Sequence, residues 1–343
     1  MAFPVSPSTG KGGKVFVNAG DGVYLSATAM TKQASYTYKG ETYANQIYLL
    51  GTGKTLINMR PAKEPSLVID GIVSEVTISG TANNDEVATS AFDYIYNGTR
   101  MTASADSSVS VSRPAATQGA WVAIHVKKSD GSISATKGTD TSDGGGITGL
   151  LDTYGTGAGQ RPLIATTELL IGWLKLTNGA AAVASTEIFY NDQERYDTLA
   201  WTWLPNIGGV MLNAALVALH TGDVARDVKF TGYYLDDSFT QIGTAKDWSL
   251  TPSVNTVSET TMGGSASKSE IGGWTFSFAQ LACDEIVKNA MLNRQGMLAV
   301  RLQYPNGGYW QGVGSGAGSF KCAAGAFNSI DVSGSLADDP VFS

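Results

Sequence analysis

At 343 residues the chain is longer than one compact core needs, and 43% hydrophobic residues are enough to fill two. Charged residues make up only 15%, glycine takes 41 positions and the formal net charge is −7. That balance excludes a broad basic surface of the kind that grips nucleic-acid phosphates, and it favours short strands joined by turns over helices.

In chain order, residues 1 to about 110 read as short strands. "GKVFVNAG", "GVYLSATAM", "NQIYLLG", "SLVIDGIVSEVTISG" and "AFDYIYNGTRMTAS" each set β-branched or aromatic residues between Gly, Asn or Asp turns. In "TQGAWVAIHVKKSDGSISATKG" (117–138), Trp121, Ala123, His125 and Lys127 share one face, and Val122, Ile124 and Val126 share the other. Ser129-Asp130-Gly131 supplies a turn, and "SISATKG" returns as the partner strand. A Gly-rich loop follows, then a strand pair in "ELLIGWLKLTNGAAAVAS" that turns at Asn178-Gly179.

The charged and aromatic stretch "NDQERYDTLAWTWLP" marks the expected boundary between an N-terminal β-rich domain, 1–200, and a second domain, 201–343. Beyond it, two strands flank Asp236-Asp237, and residues 255–273 form a long polar loop or hairpin. In "WTFSFAQL", Trp274, Phe276 and Phe278 fall on one face. "AQLACDEIVKNAMLNRQG" is the one good helix pattern, with Ile286, Val287 and Met291 on its apolar side and Gly296 as a stop. "LAVRLQYPNGGYWQGVGSGAGSF" (298–320) reads as a hairpin turning at Pro305-Asn306-Gly307-Gly308. "FNSIDVSGSL" then gives a last strand with Ile330, Val332 and Leu336 facing one way.

Motifs that carry chemistry are weak. "LLGTGKTL" (49–56) copies the end of a phosphate-binding loop, but Tyr48 stands where its first glycine belongs and Pro61 and Pro65 interrupt any following helix. "TDTSDGGG" lacks the spacing and closing acid of a calcium loop, and "NGT" at 97–99 fits a hairpin turn better than a glycosylation sequon. Cys283 and Cys322 lack zinc-ligand spacing and read as buried thiols. His125 and His220 have no nucleophile at recognisable spacing, and Asp236-Asp237 and Asp338-Asp339 suit turns. Tyr196, Trp201 and Trp203 form an aromatic cluster suited to a core or interface anchor. A glycan-acting enzyme would rest only on exposed aromatics and scattered acids such as Asp152. No signal-peptide core or membrane-length apolar run is present, so a soluble protein made in a cytoplasm is expected.

The order of elements over about 205–343 resembles the tube domain of tail tube proteins of long, non-contractile bacteriophage tails. A strand enters a polar loop, a strand leads to one helix, a strand turns at Pro305-Asn306-Gly307, and "FNSIDVSGSLADDP" closes the chain. The resemblance implies a mainly β fold: a β-sandwich or barrel tube domain with one packed helix, Ala279–Leu292, beside the extra N-terminal β domain. It implies a structural virion protein, not an enzyme, that polymerises into stacked hexameric rings. Ile286, Val287 and Met291 would pack the helix on the sandwich. Ser258, Thr261, Met262 and Lys268 would lie in a loop reaching the next ring, and Val300, Leu302, Tyr304 and Trp310 in strands joining subunits. The implied partners are further copies of the chain, the tail terminator, tape measure and tail-tip proteins, and genomic DNA passing without sequence-specific binding; no membrane and no cofactor is implied. The protein would be assembled in the host cytoplasm and reside in the virion tail. A tail-tip or fibre-associated receptor-binding protein is the alternative, motivated by the N-terminal β modules.

Overall fold

The computed structural model describes residues 8–9, 13–18, 22–51, 56–58, 65–141, 149–179, 181–196, 199–221, 228–236, 238–242, 245–261, 264–280, 297–321 and 329–342. Among them the protein is mainly β. Two compact units interleave along the chain. Unit 1 comprises Met1–Leu67, Trp201–Asn213 and Phe230–Ser343; unit 2 comprises Val68–Ala200 and Ala214–Lys229. This corrects the expected division into 1–200 and 201–343. A break does fall between Ala200 and Trp201, but the first 67 residues belong with the C-terminal part. Local pattern could not show this, because strand pairing disregards sequence separation.

Unit 1 is organised by a nine-stranded sheet, numbered here along the chain. Its strands are β1 (Ser8–Thr9), β2 (Lys14–Asn18), β3 (Thr240–Ile242), β4 (Ala245–Thr261), β5 (Gly264–Gln280), β6 (Met297–Gln303), β7 (Tyr309–Lys321), β8 (Ser329–Leu336) and β9 (Val341–Phe342). They run in the order β1-β4-β5-β8-β7-β6-β2-β3, with β9 added to β7. One face gathers Val15, Val17, Trp248, Leu250, Trp274, Phe276, Phe278, Leu298, Val300, Leu302, Trp310 and Val332 into a single core. Residues of β2 and β4 meet there although four strands lie between them, so the sheet curls around its own side chains. The alternation read in β5 therefore holds: Trp274, Phe276 and Phe278 are buried together. The opposite face of β6 and β7 is covered too, with Ala299 and Val313 against Leu56 and Leu235.

The turn foreseen at Pro305-Asn306-Gly307-Gly308 closes with Tyr304 N–H donating to the Gly308 carbonyl at 2.7 Å and Gly307 N–H to the Tyr304 carbonyl at 3.0 Å. The small residues that follow have a packing reason. A Cβ at Gly314 would stand 2.3 Å from the Ser335 carbonyl oxygen, and one at Gly334 would stand 2.1 Å from that of Ser315. β7 and β8 approach there at a separation only glycine permits. Asn206, buried in the turn Pro205–Ile207, fastens this sheet: its Oδ1 accepts the Val313 N–H at 2.8 Å and its Nδ2 donates to the carbonyls of Asp338 and Asp339.

Unit 2 is built on a four-stranded sheet ordered Ile133–Lys137, Gly119–Lys127, Glu168–Thr177, Ile188–Phe189. Two three-stranded sheets, containing Phe92–Tyr96 and Glu86–Thr89, add Val87, Phe92 and Tyr94 to the core formed by Val122, Ile124, Val126, Leu169, Ile171, Leu174 and Leu176. On Glu168–Thr177 the core residues switch from odd to even positions. A bulge causes this: Ile124 pairs with Gly172 but His125 pairs with Leu170, so one extra residue reverses the parity. The other face packs Trp121, Ala123, Leu170 and Trp173 beneath Ile164 and Leu219. Both faces are dry, which explains why these strands carry so little polar alternation.

Two local expectations need correction. The segment after Asn178-Gly179 does not return as a strand; Ser185–Glu187 is a 3-10 turn, and the partner strand is Ile188–Phe189. The expected helix Ala279–Leu292 does not start at Ala279, since Ala279 and Gln280 pair with Asp331 and Ile330 as the end of β5. The remaining positions of that helix lie outside the described residues, including Ile286, Val287 and Met291, as do Cys283, Cys322 and the Gly53-Lys54-Thr55 stretch.

Replacing Gly334 by Val is expected to destabilise the protein by about 1–3 kcal/mol through overpacking against β7. Gly51→Ala, where an added Cβ meets nothing within 4 Å, should be close to neutral. Urea unfolding midpoints of the two variants check the contrast.

Candidate assembly interface

β4 and β5 pair from the body of the sheet outward to Thr261↔Gly264. Their neighbours stop much earlier: β1 meets β4 only at Ser249 and Leu250, and β8 meets β5 only over Thr275–Gln280. Eight rungs, Val254↔Ile271 to Thr261↔Gly264, therefore stand beyond the sheet as a two-stranded arm about 25 Å long. Among the described residues no third strand pairs with either side of it. The arm leaves the sheet at a bulge, where Ser253 pairs with Gly273 but Val254 pairs with Ile271. Gly273 has φ +149° there, a conformation that glycine accepts and L side chains resist.

The arm carries three charged residues, Glu259, Lys268 and Glu270. Of the residues expected in the polar loop, Ser258 pairs with Ser267, Thr261 with Gly264 and Lys268 with Val257; Met262 lies outside the described residues. Of the two alternatives read for this stretch, loop or hairpin, the described residues form the hairpin, 254–261 paired with 264–271.

The expectation that Val300, Leu302, Tyr304 and Trp310 join subunits is corrected by the sheet order. β6 is flanked by β2 and β7, and β7 by β6, β8 and β9, so the backbone groups of these strands are taken within the chain. Val300, Leu302 and Trp310 lie in the core of unit 1, and Tyr304 packs on it with its ring 4.9 Å from that of Trp248. The hairpin looked like an edge because its neighbours, Lys14–Asn18 and Val341–Phe342, lie far away in sequence.

The titratable groups singled out in the sequence are held by partners within the chain. His125 and His220 both border the Ala165–Glu168 turn of unit 2. His220 Nε2 lies 3.0 Å from Glu194 Oε1 and its Nδ1 lies 2.9 Å from the Ala165 carbonyl, while Glu194 Oε2 accepts the Leu170 N–H at 2.6 Å. His125 Nδ1 stands 3.2 Å from Glu168, whose carboxylate also accepts the Ala165 N–H. Asp152 pairs with the buried guanidinium of Arg161, which also binds Asp192 at 2.7 Å and lies 4.5 Å above the Trp121 ring. Asp236 accepts the Ser238 N–H as a turn residue, whereas Asp338 and Asp339 serve as acceptors for Tyr38 and Trp274. Tyr196 belongs to unit 2, and Trp201 and Trp203, whose ring centroids lie 5.1 Å apart, belong to unit 1. Among the described residues, no group of three or more His, Cys, Asp or Glu side chains is placed to hold a metal ion. No family model, curated protein or solved structure matches the chain.

The two histidines should give stability opposite pH dependences. Burial lowers the pKa of His220, but the Glu194 hydrogen bond and charge and the Ala165 carbonyl outweigh it, leaving a net rise above 6.5. Its contribution is fully present below pH 6.5 and is lost as pH rises through the raised value. Burial holds His125 below 6.5, with Glu168 offsetting only part, so its contribution is present above pH 6.5 and fades as pH falls through the lowered value. Urea unfolding across pH should show H220Q losing most stability on the acid side and H125Q flattening the acid fall.

Proposed function

We propose that this chain is a structural virion protein that assembles with copies of itself into stacked rings, the tube of a long, non-contractile bacteriophage tail. The hairpin arm carries this reading. A two-stranded ribbon is marginal in water on its own, and its two outer borders present rows of N–H and C=O groups suited to a third strand. A second copy offers strands of the same kind at fixed geometry, and repetition of one contact around a ring closes it. The arm coincides with the 255–273 stretch that the resemblance to tail tube proteins assigns to contact with the next ring.

The curled sheet of unit 1 would be the tube domain, and the reading places a helix carrying Ile286, Val287 and Met291 against it. Unit 2 would decorate the tube. A net charge of −7 suits a conduit, because a basic lumen would retain DNA through phosphate contacts. No catalytic step is part of this function.

Electron microscopy of the purified chain should show hollow tubes or rings. Shortening the arm by removing 256–269 should leave a folded subunit with near-unchanged melting but abolish tubes. If the shortened chain forms tubes as readily as the intact one, or if the intact chain stays monomeric at every concentration, the reading fails. Abundance in virions separates it from a receptor-binding tip protein, which would be present in few copies.

A further inference from the structure

We infer that unit 2 locks itself covalently, through an amide bond between the side chains of Lys229 and Asn97, with Asp70 moving the proton. The inference stands on three residues that separate elements bring together, and it is independent of the tube reading. Asp70 sits between Ser66–Ile69 and Gly71–Ile72. Asn97 opens the Asn97-Gly98 turn between Phe92–Tyr96 and Thr99–Ala103, with φ 52° and 75° at the two turn residues. Lys229 is the second residue of Val228–Leu235, where the chain makes its last exit from unit 2.

The Lys229 ammonium donates to the side-chain oxygen of Asn97 and, at 3.2 Å, to Asp70 Oδ2. Asp70 Oδ1 accepts the backbone N–H of Asn97 at 3.0 Å, so one carboxylate holds both reactants. The Lys229 side chain is 8% exposed and that of Asp70 is 1% exposed, and the Tyr96 ring lies 5.7 Å from Nζ. An amine and a carboxylate that are both buried, in contact with a carboxamide, are the parts of an amide exchange. Held in place, the amine meets the carboxamide at an effective concentration that solution cannot reach.

The step balances without any further reagent. Asp70 takes a proton from the Lys229 ammonium, and the neutral amine attacks Cγ of Asn97. The attacking nitrogen gives up a second proton, which Asp70 passes to Nδ2. The Cγ–Nδ2 bond breaks as the Nζ–Cγ bond is completed, and ammonia leaves, taking the remaining proton as ammonium. Asn97 belongs to a solvent-exposed turn, which provides the outlet. Nothing is oxidised or reduced. The product ties residue 229, where the chain leaves unit 2, to the turn that joins Phe92–Tyr96 to Thr99–Ala103.

Intact mass spectrometry of the purified full chain decides the matter. The expected mass is lower than the sequence mass by one ammonia molecule, and a protease digest should yield the peptide containing Asn97 joined to the peptide containing Lys229. K229R, N97A and D70N should each return the full sequence mass, with circular dichroism confirming that they fold. A succinimide at Asn97-Gly98 also loses ammonia, but it would persist in K229R and map to a single linear peptide; that result overturns the inference. So does a folded wild-type chain at full sequence mass. The wild-type digest is decisive even if a variant does not fold.

Discussion

The structure of unit 1 depends on how the backbone hydrogen bonds at strand borders are satisfied. A buried N–H or C=O without a partner costs about as much as a lost hydrogen bond, so each strand must find neighbours on both sides or face water. β6, β7 and β8 find theirs within the chain, and the outermost strands β1 and β3 are only two and three residues long. Short terminal strands leave little border for stray pairing. Among the described residues of the nine-stranded sheet, the long open borders belong to the arm, which is why the assembly proposal rests there and not on the C-terminal hairpin.

Curvature is the second requirement. A sheet that wraps around its own core needs places where strands approach closely or change parity. Gly314 and Gly334 supply close approach in unit 1, and the bulge opposite Ile124 and His125 supplies the change of parity in unit 2. The bulge at Ser253 and Gly273 does a third job, redirecting β4 and β5 where they leave the sheet. None of these positions carries reactive chemistry; each sets the direction of a strand.

Buried polar groups make the connections that apolar packing leaves unspecified. Asn206 ties a turn to β7 and to the C-terminal segment, and the His220–Glu194 pair fixes the 214–229 excursion to unit 2. Arg161 is enclosed by aromatic rings and two carboxylates. Their charged and polar heads find partners, as groups withdrawn from water must, with Arg161 Nε the exception. In such company the Lys229, Asn97 and Asp70 contact is distinct, because its three members can react with one another as well as attract.

Much of this was legible along the chain wherever the cause is local. Period-two alternation identified the faces of Gly119–Lys127 and β5, turn chemistry located Asp130 and Pro305-Asn306-Gly307, and low charge with abundant glycine indicated a β protein. Sheet order and domain membership were not legible, since they depend on which distant strand arrives to fill a border. Lys14–Asn18 beside β6 turned an apparent edge into the middle of a sheet, and the first 67 residues joined the C-terminal unit. The meeting of Asp70, Asn97 and Lys229 had no sequence signal at all, because 27 and 132 residues separate the members. Side-chain periodicity is a property of neighbours in the chain, whereas border pairing and converging side chains are properties of neighbours in space.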